Sequence, residues 1–151
     1  MIKLYILIAA AVLFFFSCKK NNMEYNVGQE WNYKTRPAEE NSTIKILKIE
    51  EYPKTGKIIH ISVSRLRMKN PGNPEGFAEK LSHIPISEDA LDKSVTKLKS
   101  ENGKIPDSIE MDGYSYWKRE FDKGEAGIFT IPVSEIVSLM EKAILTGNVN
   151  E

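Results

Sequence analysis

Apolar residues recur along this chain with two periods, and the change from one to the other divides it into a strand-rich first part and a helix-rich second part. In residues 29–36, Trp31 and Tyr33 alternate with Asn32 and Lys34, the spacing of a half-buried strand, and Pro37 closes it. Residues 38–42 are a polar connection. In residues 43–51 the alternation slips, with Ile44 and Ile46 followed by Leu47 and Ile49. Either both faces of that strand are covered or a β-bulge falls near Ile46 and Leu47. Tyr52-Pro53-Lys54-Thr55-Gly56 is turn chemistry, since proline presets its backbone angle and glycine admits a positive one. Residues 57–67 give the clearest strand, with Ile59, Ile61 and Val63 on one side and His60, Ser62 and Ser64 on the other. Three strands on short turns predict an antiparallel meander with one wet face.

The period then lengthens. Asn70-Pro71-Gly72-Asn73-Pro74 is too dense in breakers for regular structure, so residues 68–76 read as an exposed loop. Residues 83–86 suggest a short extended piece that Pro85 keeps at an edge. Ser87 can cap a helix, with Glu88 and Asp89 at its positive end and Leu91, Val95 and Leu98 as one apolar stripe, stopped by Asn102-Gly103. Residues 106–113 read as a loop. Tyr114, Trp117 and Phe121 predict a second helix ending at Gly124, and residues 128–131 a fourth strand. Pro132 suits the first position of a last helix with the stripe Val133, Ile136, Val137, Met140 and Ile144, ended by Gly147. Residues 148–151 are expected to fray. The fold expected is α+β, an antiparallel β-meander of three to four strands with about three helices packed on one face.

The first eighteen residues follow neither pattern. After Met1-Ile2-Lys3 comes an apolar run of thirteen residues, Leu4 to Phe16, then Ser17-Cys18-Lys19-Lys20. A bilayer-spanning helix needs about 20 apolar residues, whereas the core of a secretory signal has roughly 7–15. Cys18 is the one cysteine of the chain. This arrangement resembles the signal peptide of bacterial lipoproteins. Ser17 and the upstream Leu13 match that pattern, and Phe15 and Phe16 depart from it. The resemblance implies a signal peptide in residues 1–17 and a lipidated Cys18 that becomes the new N-terminus. Residues 18–27 would then be anchor and tether, residues 28–147 a single domain, and the location the cell envelope. A diacylglyceryl group holds stably where a single acyl chain does not, and Lys19 and Lys20 would lie at the headgroups.

Charge and composition narrow the partners. The chain carries 21 basic and 21 acidic residues, a balance without the basic footprint of a nucleic-acid binder. With Cys18 acylated no thiol is left for a disulfide, so the domain must stand by packing alone. No cofactor motif occurs, and with Cys18 acylated a thiolate–imidazole zinc site has no thiolate. His60 and His83 read as surface histidines of a polar face rather than a metal pair. Glu39-Glu40 and Glu50-Glu51 read as solvated turn and edge charges, since neighbours on a strand point to opposite faces. No nucleophile elbow, triad setting or phosphate loop is recognisable.

Aromatic residues supply what is left. Trp31 and Tyr33, with Arg36 beyond and His60 on a polar face, make the candidate binding surface. Tyr114, Tyr116 and Trp117 are of a type that stacks on sugars, although core packing is the plainer explanation for each aromatic. Together these observations point to a non-enzymatic, membrane-tethered binding domain with an envelope protein as a possible partner, an immunity-type lipoprotein being one version. The alternative is an envelope hydrolase or carbohydrate-active enzyme using carboxylates scattered in sequence.

Overall fold

The structure, a computed structural model, describes residues 23–147. It is α+β. Five strands, β1 (Glu30–Tyr33), β2 (Thr43–Tyr52), β3 (Gly56–Lys69), β4 (Phe77–Ser87) and β5 (Val95–Ser100), form one antiparallel sheet in the order β4-β3-β2-β1-β5. Three helices, α1 (Glu88–Ser94), α2 (Ser108–Asp122) and α3 (Val133–Thr146), pack on it. No helix among the described residues is long and apolar enough to cross a membrane.

The meander β2-β3-β4 is built as the alternation dictates. Ile44 lies opposite Val63, Ile46 opposite Ile61, and Ile61 opposite Ile84, one continuous apolar face. Against it pack Ala90 and Leu91 of α1 and Val133, Ile136 and Val137 of α3. The register of β2 slips between Ile46 and Lys48, so the extra residue at Leu47 is a β-bulge. That bulge keeps Ile49 on the apolar side and turns Lys48 and Glu50 to the side of His60.

The other face of the sheet is not wet. His60 and Ser62 of β3 are fully buried there, beneath α2, whose Trp117 ring lies 4.7 Å from that of His60. The expectation of helices on one face therefore needs correction: α1 and α3 cover the apolar face and α2 covers the polar one. The first turn of α2 lies in what reads as a loop, because Asp107 and Glu110 form a reciprocal capping box that starts the helix at Ser108.

Three further boundaries differ from the sequence reading. The apolar stripe Leu91-Val95-Leu98 does not run through one helix. α1 ends at Ser94 and Val95–Ser100 pairs with β1, because the β-branched Val95 and Thr96 close an otherwise open sheet edge. Residues 128–131 are not a strand and contribute a single parallel bridge, Phe129 to Ile86. β4 is longer than expected, but Pro85 does lie on an edge strand, where a missing N–H costs no ladder bond.

Residues 23–27, expected to belong to a tether, are placed against the domain. Tyr25 is buried, its hydroxyl donates to Asp92 at 2.7 Å and its ring meets Trp31 edge-on at 5.4 Å. Gly28, at φ +89°, then donates to the Ile46 carbonyl. A Cβ on Gly103 would stand 2.2 Å from the Gly28 carbonyl oxygen, so the loop before α2 meets this segment backbone to backbone. Residues 23–27 therefore belong to the fold, and the expected signal peptide and Cys18 lie outside the described residues.

Candidate functional site

The residues expected to form a binding surface do not form one. Trp31 and Tyr33 are buried in the apolar core, their polar atoms bonded to Gln29 and to the Ser42 hydroxyl. Arg36 spends its guanidinium on two carboxylates, with bonds of 2.9 and 2.6 Å to Glu39 and 2.7 Å to Glu141 of α3. His60 is on the opposite side of the sheet with no exposure at all. Alternation explains the error. It identifies which residues share a face but not whether a helix covers that face.

Beneath α2 the polar residues of three strands converge into two clusters. In the first, His60 Nδ1 lies 3.0 Å from His83 Nε2, and His60 Nε2 lies 3.1 Å from Glu50 Oε2. Tyr114 of α2 donates to the other Glu50 oxygen at 3.0 Å. A carboxylate only accepts, so the chain runs one way: His60 donates Nε2–H to Glu50, and its Nδ1 accepts Nε2–H from His83. Burial pushes both imidazoles down to about 4, and for His83 the neighbouring His60 adds to it. Burial, then the bond to Glu50, pushes the Tyr114 phenol up to about 12. Neither histidine is the surface residue expected, and Glu50 is not a solvated edge charge. The rings bond to each other and to Glu50, and among the described residues no group of three or more metal-ligating side chains is placed to hold an ion.

The second cluster surrounds Glu110, a carboxylate only 1% exposed. It takes a hydrogen bond from Ser62 at 2.8 Å and from the Asp107 N–H at 2.9 Å, and ion pairs from Lys45 at 2.6 Å and Lys80 at 3.0 Å. Burial alone would raise this carboxyl. The bonds from Lys45, Asp107, Ser62 and Lys80 outweigh it and hold the group below the usual carboxylate range. Beside Glu110 opens a polar groove of about 340 Å³ bounded by Thr43, Ser64, Arg65, Lys104, Asp107 and Glu30.

Of the sugar-stacking candidates, Trp117 is buried and donates to the Gly127 carbonyl, and Tyr114 belongs to the histidine cluster. Tyr116 alone is well exposed, with Arg119 across its ring. Glu39 is buried in the Arg36 network instead of solvated. Glu110, Arg65 and Lys80 carried no motif of their own. The readable signal for Glu110 was the capping pattern Asp107-Ser108-Ile109-Glu110. Comparison with known proteins finds no matching family, no matching curated sequence and no matching solved structure.

Proposed function

We propose that this chain is a lipid-anchored protein of the bacterial cell envelope whose folded domain binds another molecule there without transforming it. The anchor reading rests on the leader and Cys18. The observation that carries the binding reading is the groove beside Glu110, an open polar surface walled by charges of both signs. Two of its carboxyls, Glu110 and Asp107, are held below their usual range by neighbouring donors. Such groups stay ionised and accept hydrogen bonds, whereas a general acid needs a raised value. The Glu50-His60-His83 chain serves the same reading, since it fastens α2 to the sheet and does not line this groove. An immunity-type role, neutralising a toxin delivered into the envelope, is one form the binding takes.

Two measurements test this. Replacing Cys18 by Ala is expected to abolish labelling with radioactive palmitate and release the domain from the membrane fraction; unchanged labelling would remove the anchor. Crosslinking of tagged full-length protein in intact envelopes is expected to trap one stoichiometric partner, lost on substitution of groove residues. Turnover of an envelope glycan by the purified chain would replace binding with catalysis.

A further inference from the structure

The charges around the groove are unevenly matched. Lys45 is committed to Glu110, and Lys80 is shared between Glu110 at 3.0 Å and Asp107 at 3.2 Å. Arg65 and Lys104, on the same groove, have no acidic partner among the described residues. Arg65 gives its Nε–H to the Asn41 carbonyl at 2.7 Å and one Nη2–H to the Thr43 hydroxyl at 2.6 Å. Three of its five N–H donors remain.

The backbone at Arg65 is unusual as well. Its φ is +59°, the left-handed region, at the place where the β3–β4 register breaks between Ser64 and Met68. A residue with a Cβ occupies that region under strain, and such strain collects at ligand-holding positions. The bulge breaks the alternation of β3 here, and the two bonds to Asn41 and Thr43 fix the guanidinium at the groove.

We propose that this groove binds an acidic sugar, a hydroxyl-rich ring bearing one phosphate or carboxylate group. The anionic group meets Arg65 and Lys104, which lack a counter-charge. The ring hydroxyls donate to the carboxylates of Glu30 and Asp107 and bond with the Thr43 and Ser64 hydroxyls. A bare anion brings few donors to those same carboxylates and leaves most of the groove unfilled, so the mixed lining selects a ligand carrying both an anion and several donors. The space suits a monosaccharide, small-molecule sites starting at about 300 Å³. This deepens the binding reading and is independent of the anchor.

The test is titration of the full chain, purified in non-ionic detergent, followed by amide NMR shifts and calorimetry. The probes are glucose 6-phosphate, glucuronate, glucose and inorganic phosphate. Both acidic sugars are expected to bind, moving the amides of Thr43, Arg65, Lys104 and Asp107, with glucose and phosphate each weaker by roughly tenfold or more. Raising the salt should weaken binding. Arg65→Gly is the decisive variant, because glycine accepts the left-handed backbone and keeps the fold while removing the guanidinium; a loss of roughly tenfold is expected. The Cys18→Ala chain, free of detergent and anchor, is added to phosphatidylcholine vesicles with and without an acidic glycolipid to tell a membrane-borne sugar from a free one, and capture by either source supports the site. Phosphate binding as tightly as glucose 6-phosphate, no binding by either acidic sugar, or full affinity in Arg65→Gly would each overturn the proposal. If the acidic sugars fail while the envelope partner is still trapped, the acidic-sugar assignment falls and the binding reading stands. Chemical conversion of the sugar, seen by mass spectrometry, would overturn the binding reading itself.

Discussion

The rings of His60 and His83 stack 5.2 Å apart at 15°, joined by one hydrogen bond of 3.0 Å that needs at least one of them neutral. A single proton leaves one acceptor nitrogen in the pair, whereas protonating both rings removes it and sets two positive charges side by side under Trp117. Glu50 and Lys48 from β2, Tyr114 and Trp117 from α2 and His83 from β4 are the groups that face His60, and Glu50 is the one carboxylate among them.

Stability should therefore depend on pH in a defined window. The ordinary histidine value is 6.5 and burial pushes both rings down to about 4. Between those values the unfolded chain binds more protons than the native one, so stability is full above 6.5 and drains as the pH falls towards 4. Glu110 and Glu141, whose carboxyls lie below the usual range, lose their contribution only in stronger acid. The measurement is the urea midpoint across this range in the native chain and in the double variant His60→Gln/His83→Gln. An equally steep slope in the variant would assign the dependence to other groups.

The sequence carried the sheet further than it carried the site. Alternation in residues 57–67 and the slip at Ile46–Leu47 are local properties, and both are present in the sheet as β3 and the β2 bulge. The cover over His60 is not local. It depends on α2, more than 45 positions later in the chain, whose capping box was legible but whose destination was not. Val95 shows the reverse difficulty, since its residue types suit a strand, its spacing suits a helix, and only the open edge of β1 decides between them. Burial of Trp31 and Tyr33 and the pairing of Arg36 follow from packing against elements that periodicity alone does not position.

Gly113 is a second consequence of how α2 sits. A Cβ there would lie 2.7 Å from the His83 Cβ, an atom fixed to β4 and unable to swing aside. In an exposed helix, Gly→Ala gains about 1 kcal/mol. At Gly113 overpacking of about 1–3 kcal/mol works against that gain. The net expectation is destabilisation with a changed Trp117 fluorescence spectrum, as the indole shifts off His60. A more stable protein with unaltered fluorescence would show that α2 is not held this closely.

Glu110 lets the structural and ligand roles of the second cluster be separated. Glu110→Ala leaves Lys45 with no carboxylate in a site where its side chain is only 14% exposed. Breaking a buried pair costs about 3–5 kcal/mol, and the partial exposure of Lys80 lowers the expectation to about 2–3 kcal/mol. Glu110→Gln keeps the shape and the hydrogen bond from Ser62, so its cost should be smaller. The double variant Glu110→Gln/Lys45→Met should regain part of the loss, because the orphaned charge goes too. Denaturation of Glu110→Gln, Lys45→Met, the double variant and the native chain closes this cycle, and additive losses would mean that Lys45 and Glu110 do not act as a pair.

Arg36 makes the most demanding prediction, because its role changed most between sequence and structure. Its fork bonds Glu39 through Nε and Nη2 and reaches Glu141 through Nη1, while the same carboxylates accept the backbone N–H groups of Arg67 and Lys69. One side chain thus joins the β1–β2 connection, the far end of β3 and helix α3. A lysine brings a point charge and has no planar fork, so it serves one carboxylate and forfeits the other. Arg36→Lys should cost about 1–2 kcal/mol. Arg36→Ala should cost more, since it strands the buried Glu39 carboxylate with a single N–H donor. If Arg36→Lys matches the native chain in stability, a point charge suffices and the fork geometry contributes nothing. If Arg36→Ala matches it as well, the network is a surface ion pair without consequence, and the guanidinium returns to the pool of groups available to a partner.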